Sequence, residues 1–270
     1  MARFEEIAQG AREVRSGALG LLRNNLRVVA TLVAALVFVW LLGEVASGEI
    51  LRLDTLAYQV FVEHLRSDEL TSLMQAFTSL ASIVVLAVLA AVIAALAPGK
   101  APGWCVAVNL VCVVLLNTAL KYLVQRPRPD GFRLISETGY SFPSGHSMVA
   151  MAFFGLLIWM VWRYHRHDVM RTVWCVVFGL VIVMVGLSRI YLGVHYASDV
   201  LAGFCVSLIW LIFYTRVVAP AFVAVDAPHT DAGMDTDASP NGTGAGAGTT
   251  DADSVGADST DASPNGTTAK

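Results

Sequence analysis

Residues 121–129 read KYLVQRPRP, residues 143–146 read PSGH, and residues 188–199 read SRIYLGVHYASD. Each of these three blocks lies at the edge of a long apolar run, so its charged residues stand where a hydrophobic segment begins or ends. Cations and imidazoles from distant parts of the chain can therefore meet at one face of a membrane. A cluster of this kind predicts a site for a phosphate group.

The composition excludes an ordinary soluble domain. Of the 270 residues, 56% are hydrophobic and 14% are charged, and the mean hydropathy is +0.64. These values are typical of a polytopic membrane protein. The four cysteines all fall inside apolar runs, without the spacing of metal ligands, and are predicted to be packing residues: Cys105, Cys112, Cys175 and Cys205.

Six apolar runs predict six transmembrane helices packed as an all-α bundle. Between the first and second runs, residues 48–68 carry apolar side chains every three or four positions, which indicates a helix at the membrane interface. Polar residues inside the runs are interpreted as groups that hydrogen-bond between helices: Gln75, Asn109 and Asn117. The predicted spans are Val28–Ser47, Leu70–Gly99, Ala101–Leu120, Ser147–Trp162, Thr172–Ser188 and Tyr196–Val218.

The chain divides into three predicted parts. Residues 1–27 carry five Arg and have apolar residues at helical spacing, which predicts an amphipathic helix lying on the membrane. Residues 28–218 form the six-span domain. Residues 219–270 consist mostly of Asp, Ala, Gly, Ser and Thr, a composition that predicts a disordered acidic tail.

The distribution of Lys and Arg predicts the orientation in the membrane. Six spans place both termini on one side, and that side carries ten Lys and Arg against seven on the other. Because cytoplasmic loops are enriched in Lys and Arg, we expect a cell-membrane protein with both termini in the cytoplasm. The three charged blocks then lie on the outer face.

The first two blocks could bind an anion. Lys121 and Arg128 are two helical turns apart and could share one helical face. Basic side chains that only extend into the membrane interface, without binding a ligand, give the same pattern. Arg126 and Arg133 fit that simpler interpretation. In the second block, the amides at a helix start beside Gly145 attract anions, but the same residues also suit a turn and a helix cap.

The third block suggests a nucleophile. His195 and Asp199 are four residues apart and therefore lie on one helical face, so the carboxylate can bind one ring nitrogen and leave the other free. An imidazole held in this way is an activated nucleophile or base. A pair that merely caps the last helix is the alternative.

Together the blocks resemble the three-part signature of the type 2 phosphatidic acid phosphatase family, which includes the lipid phosphate phosphatases. The matching pattern is Lys121, six residues, Arg128-Pro129; then Pro143-Ser144-Gly145-His146; then Ser188-Arg189, five residues, His195, three residues and Asp199. The resemblance covers roughly residues 70–218 and departs from the signature at no position. It implies a helical bundle whose active site opens at the outer membrane surface and whose phosphatase reaction needs no metal or other cofactor.

The resemblance also implies a role for each residue. His195 would attack phosphorus and form a phosphohistidine, Asp199 would orient His195, and His146 would protonate the leaving oxygen and later assist water. The non-bridging oxygens would be held by five residues: Lys121, Arg128, Ser144, Gly145 and Arg189. Phosphoryl transfer depends mainly on positioning and charge stabilisation, which fixed cations supply. Asp130 and Glu137 stand alone in the sequence and offer no cluster for a divalent ion.

Two other functions use the same residues. A phosphotransferase would pass the phosphoryl group from His195 to an acceptor other than water, and a non-catalytic binder or transporter would hold a phosphorylated lipid without turnover. The expected partners are the bilayer and a membrane lipid phosphate or diphosphate, with no nucleic acid. Polyprenyl diphosphates, phosphatidate-like lipids and phosphatidylglycerol phosphate analogues remain equal candidates, and the oligomeric state stays open.

Overall fold

The computed structural model describes residues 25–48, 50–96, 101–164 and 169–222. Within these ranges every regular element is a helix, as the sequence predicts. The predicted N-terminal interfacial helix and the predicted acidic tail lie outside the described residues, apart from their inner edges. The helices are α1 Leu26–Ala46, α2 Arg52–Tyr58, α3 Asp68–Leu80, α4 Ile83–Leu96, α5 Ala101–Val124, α6 Gly145–Tyr164, α7 Val169–Tyr191 and α8 Ala197–Val217. A π-helical segment, Gln59–His64, continues α2, and a short 3-10 helix, Ala219–Ala221, follows α8.

Five of the described helices are long and apolar enough to cross a membrane: α1, α5, α6, α7 and α8. Helices α3 and α4 are long and apolar enough to cross a membrane only when taken together, and they meet at an angle of 54°. If this bent pair is one span, the described residues contain six spans. The predicted second span, Leu70–Gly99, thus falls on α3 and α4, with a bend between them. Ser82 explains the break, since its Oγ accepts a hydrogen bond of 3.3 Å from the Val85 amide and starts α4 afresh.

Helix α6 lies at the centre of the bundle and packs against α5, α7 and α8. Its small residues Ala150 and Ala152 are fully buried and leave room for these neighbours. The amide of Ser144, directly before α6, donates to the carbonyl of Asp199 in α8 over 3.0 Å. This bond holds the starts of α6 and α8 side by side, and the predicted histidines His146 and His195 lie at or just before these starts.

Buried polar side chains bind between helices, as predicted for Asn109 and Asn117. Asn109 donates to the Ala152 carbonyl over 2.8 Å and accepts from Trp210. Asn117 donates to the Pro143 carbonyl over 3.2 Å. These bonds satisfy polar groups that would otherwise be costly in an apolar interior. The four cysteines are free thiols, two buried and two partly buried, as their predicted packing role requires.

Candidate active site

A cavity of about 400 Å³ lies where α5 and α7 end and α6 begins, beside the connection from α7 to α8. Six of the eight predicted site residues line it: Lys121, Arg128, Gly145, His146, Arg189 and His195. The other two, Ser144 and Asp199, are fully buried beside it. Residues that are up to 78 positions apart in the sequence thus surround one space.

His195 is held between a carboxylate and a guanidinium. Its Nδ1 lies 3.4 Å from Oδ2 of Asp199, and its Nε2 lies 3.3 Å from Nη1 of Arg128. A carboxylate only accepts hydrogen bonds and a guanidinium only donates them. The compatible state is therefore a neutral ring with its proton on Nδ1 and a lone pair on Nε2.

Burial lowers the pKa of the His195 imidazole to about 4, although the hydrogen bond and charge of Asp199 act in the opposite direction. The charges of Arg189 and Arg128 act in the same direction as burial and contribute to this value. The imidazole is consequently neutral near pH 7, the protonation state in which Nε2 is nucleophilic.

Arg189 is only 1% exposed, and one of its N–H groups has no hydrogen-bond partner among the described residues. Its Nη1 donates to Thr78 over 2.7 Å and its Nη2 to Glu137 over 2.5 Å. Its Nε is buried and has no hydrogen-bond partner among the described residues. A buried N–H without a partner is costly, and an anionic oxygen in the cavity would satisfy it.

Arg128 and Lys121 are fixed by backbone carbonyls. Arg128 binds the carbonyls of Thr138, Gly139 and Val194 at 3.0–3.1 Å. Lys121 Nζ donates to the Tyr140 carbonyl over 2.6 Å. These backbone acceptors are neutral and therefore do not offset the positive charge of either side chain.

Glu137 has a role at the cavity that the sequence did not predict. Its carboxylate lies 2.5 Å from Arg189 and 3.8 Å from Arg128, and so bridges two of the cavity's cations. Burial alone would raise the pKa of Glu137, but the hydrogen bond and charge of Arg189 outweigh burial and hold the pKa below its ordinary value. A single Glu in a loop carries no sequence signal for this role.

Arg126 is also placed differently from the prediction. It is 8% exposed and not an interfacial cation, with ion pairs to Asp54 at 3.0 Å and to Asp199 at 2.6 Å. Arg133, which had the same expectation, is half-buried, and its Nε donates to the Pro129 carbonyl over 2.8 Å. The sequence did not predict a role for Asp54. This residue lies in a short helix 72 positions from Arg126, and no local pattern indicates that the two are in contact.

The start of α6 completes the cavity wall. A helix begins with amide groups that have no partner inside the helix, and those at the start of α6 belong to residues on the cavity wall, Gly145 and His146. A Cβ at Gly145 would stand 3.0 Å from Oδ1 of Asn117, so glycine allows α6 to start close against α5. Across the described ranges, no three His, Cys, Asp or Glu side chains are grouped as metal ligands; the expected metal independence stays a prediction.

Comparison with known proteins gives consistent matches. Residues 102–222 match the PAP2 superfamily, and this range contains all eight predicted site residues. Over 99 residues the chain is 39% identical to phosphatidylglycerophosphatase B of Bacillus subtilis, covering 35% of this chain and 47% of that protein. Over 116 residues it is 34% identical to lipid A 1-phosphatase of Rhizobium etli, covering 38% and 46%. The matches thus span about half the length of these curated relatives.

Solved structures share the fold. The crystal structure of a transmembrane PAP2 type phosphatidylglycerolphosphate phosphatase from Bacillus subtilis matches with a TM-score of 0.59 and 26% identity, covering 68% of this chain and 94% of that one. The structure of LpxE from Aquifex aeolicus matches with a TM-score of 0.51 and 22% identity, a likeness of fold alone. The helical fold of this chain is therefore one that a transmembrane phosphatase of known structure also has.

Proposed function

Because residues 102–222 of this chain match the PAP2 superfamily, we propose that the protein is a membrane phosphatase that hydrolyses a lipid phosphomonoester or diphosphate through a phosphohistidine. The observation that carries the proposal is the neutral His195 ring, bound at Nδ1 by Asp199 and presenting Nε2 to a cavity of cations. A neutral imidazole in this position can act as a nucleophile toward a phosphate group that the cations bind.

The reaction has two steps. Nε2 of His195 forms a bond to phosphorus while the bond to the leaving oxygen breaks, and His146 gives that oxygen a proton. Water then attacks the phosphohistidine, His146 takes a proton from the water, and phosphate leaves with His195 neutral again. Asp199 stabilises the charge that the ring carries between the two steps.

The non-bridging oxygens are held by Lys121, Arg128 and Arg189, together with Ser144 and Gly145 at the start of α6. The buried Nε of Arg189 supports this assignment, since it has no partner among the described residues until an anion enters. Charge that spreads over the phosphoryl oxygens in the transition state is stabilised by fixed donors of this kind.

The lining of the cavity favours a lipid. Besides the cations, the lining includes apolar residues from α4 and α5, among them Ile83, Val84 and Val114. Val84 is 74% exposed, so the cavity reaches the surface of the bundle at the start of α4. A phosphate on a hydrocarbon chain matches a lining that contains both cations and apolar residues.

The orientation proposed from the sequence is cell membrane, cytoplasmic termini and an outer active site. Its support is that the site lies at one end of α5, α6, α7 and α8, while Arg163, Arg171 and Arg216 lie at the other ends of α6, α7 and α8. Basic residues at that second end favour the cytoplasm.

Phosphate release from dioctanoyl phosphatidic acid by the purified protein in detergent tests the proposal. We expect release that persists in EDTA, is inhibited by vanadate, and falls at least about 1000-fold in His195→Ala. With a ³²P-labelled substrate, an alkali-stable, acid-labile label should appear on the wild type and be absent from that variant. Undiminished release by His195→Ala would overturn the mechanism.

The same assay separates the two other functions. Labelled phosphate captured by an added alcohol such as glycerol, in preference to water, would identify a phosphotransferase. Binding of the phosphorylated lipid without release, repeated across an isoprenyl diphosphate and a phosphatidylglycerol phosphate analogue, would identify a binder or transporter.

A further inference from the structure

A buried cluster of charges lies behind His195, outside the set that the sequence predicted. Asp54 of α2 is 3% exposed and lies between Arg126 and the start of α8. Its Oδ1 accepts from the Ser198 amide over 2.8 Å, and its Oδ2 accepts from Ser198 Oγ over 2.7 Å and from Arg126 Nη2 over 3.0 Å. Asp54 thus fixes the guanidinium of Arg126 and the first turn of α8 together.

Arg126 continues this cluster to Asp199. Its Nη1 donates to Ser198 Oγ over 2.8 Å and to Oδ1 of Asp199 over 2.6 Å. The plane of the guanidinium also packs on Tyr196, with Cζ 4.0 Å from the ring centroid. A planar fork with donors on two nitrogens suits this double contact, whereas the single ammonium of Lys does not.

The two oxygens of Asp199 have separate partners. Oδ1 binds Arg126, while Oδ2 accepts from the Tyr196 amide over 2.9 Å, from Ser141 Oγ, and lies 3.4 Å from Nδ1 of His195. A carboxylate turns easily about its last bond. With Oδ1 held by Arg126, that turn is blocked and Oδ2 stays directed at His195.

We propose that Arg126 and Asp54 are positioning residues for the reaction, which fix the Asp199 carboxylate in the rotation that presents Oδ2 to His195. The inference rests on the proposed function, because it assigns a role behind the same nucleophile. Arg126 and Asp54 are absent from the residues that line the phosphate cavity. Their effect therefore belongs to the orientation of His195 and not to the binding of the phosphate.

A double-mutant cycle between Arg126 and Asp199 tests the proposal. Phosphohistidine formation from ³²P-labelled dioctanoyl phosphatidic acid is measured in single turnovers for the wild type, Arg126→Gln, Asp199→Asn and the double variant. We expect Arg126→Gln to lower the rate about 100-fold in the wild type, the loss typical of a misplaced group. In the Asp199→Asn background the same substitution should cost less than about threefold, because its route to His195 is already gone.

Steady-state kinetics supply a second readout. Arg126→Gln should lower kcat while KM stays within about threefold of the wild-type value, since the phosphate ligands are unchanged. Arg126→Lys, which keeps the charge without the fork, should recover part of the loss, and Asp54→Asn should lower kcat about tenfold. Arg52→Gln is the matched control, because Arg52 is exposed two residues from Asp54 on α2, and it should behave as the wild type.

Each variant is compared by size-exclusion profile and thermal unfolding in the same detergent. An active wild type in which Arg126→Gln costs the same factor with and without Asp199 would overturn the positioning role and leave the phosphatase assignment standing. A rise in KM with unchanged kcat would overturn it as well, since that result assigns Arg126 to the binding of the phosphate.

Discussion

His195 is a buried imidazole whose pKa is lowered to about 4 by burial, against an ordinary value of 6.5. Between these two pH values the unfolded chain binds a proton at this residue and the folded protein does not. The contribution of His195 to stability is therefore fully present above pH 6.5 and is lost as the pH falls toward 4.

This linkage predicts a measurable difference from His195→Asn, which cannot titrate. Between pH 7 and pH 5 the wild type should lose about 1–2 kcal/mol more stability than the variant. Thermal or denaturant unfolding in detergent at both pH values measures the difference, and other titrating groups cancel because both proteins contain them. An equal pH dependence in the two proteins would show that the folded ring titrates at its ordinary pKa.

Glu137 bridges Arg189 and Arg128 and so offsets part of the positive charge at the cavity. We expect Glu137→Gln to tighten competitive inhibition by inorganic phosphate about three- to tenfold, because the amide removes a negative charge beside the anion site. The kcat should fall, since Arg189 loses a charged partner that orients it. Glu69→Gln, at the exposed start of α3, serves as the control; weaker inhibition by phosphate in Glu137→Gln would contradict the assignment.

At the scale of elements, the spacing between α7 and α8 depends on Gly186. A Cβ at this position would stand 2.5 Å from Phe204 and 2.9 Å from Val200, both on α8. Gly186 lies one turn before Arg189, and Val200 follows Asp199. The close packing at Gly186 therefore sets the distance between the helix ends that carry Arg189 and Asp199.

Gly186→Val should force these helices apart. We expect a loss of about 1–3 kcal/mol in stability, typical of overpacking, together with a fall in kcat. Gly179→Val lies two turns earlier on the same helix, where a Cβ meets nothing within 4 Å. This variant makes the same chemical change in α7, so equal damage in both variants would assign the effect to valine in the helix and not to the contact.

The helix ends were predictable because charged residues interrupt apolar runs there. Lys121 near the end of α5 and His146 at the start of α6 lie where their blocks place them in the sequence. The break at Ser82 was not predictable, because a serine within an apolar run either continues the helix, bound to its own backbone, or caps a new one. Ser79, three residues earlier, takes the first course, with a bond to the Gln75 carbonyl.

At the scale of the whole molecule, the contacts that the sequence did not predict are long-range. Arg126 and Asp54 are 72 residues apart, and their pairing depends on where α2 lies relative to the start of α8. Arg126 has the local environment of an interfacial cation, since it stands between an apolar run and two prolines. Only the packing of α2 beside α8 turns it into a buried partner of Asp199.

The acidic residues after position 222 lie outside the proposed catalytic part of the chain. All the site residues lie between residues 54 and 199, and the match to the PAP2 superfamily ends at residue 222. Residues 223–270 carry eight Asp and a single Lys, so their effect on an anionic substrate would be electrostatic repulsion. Salt at 0.15 M screens such repulsion over about 8 Å and so weakens it. A chain ending at residue 222 should therefore keep kcat/KM for dioctanoyl phosphatidic acid within about twofold of the full chain.

A full-length variant with every tail Asp replaced by Asn separates the effect of charge from the effect of length. A loss above about fivefold in the shortened chain alone would show that the tail takes part in forming the active protein.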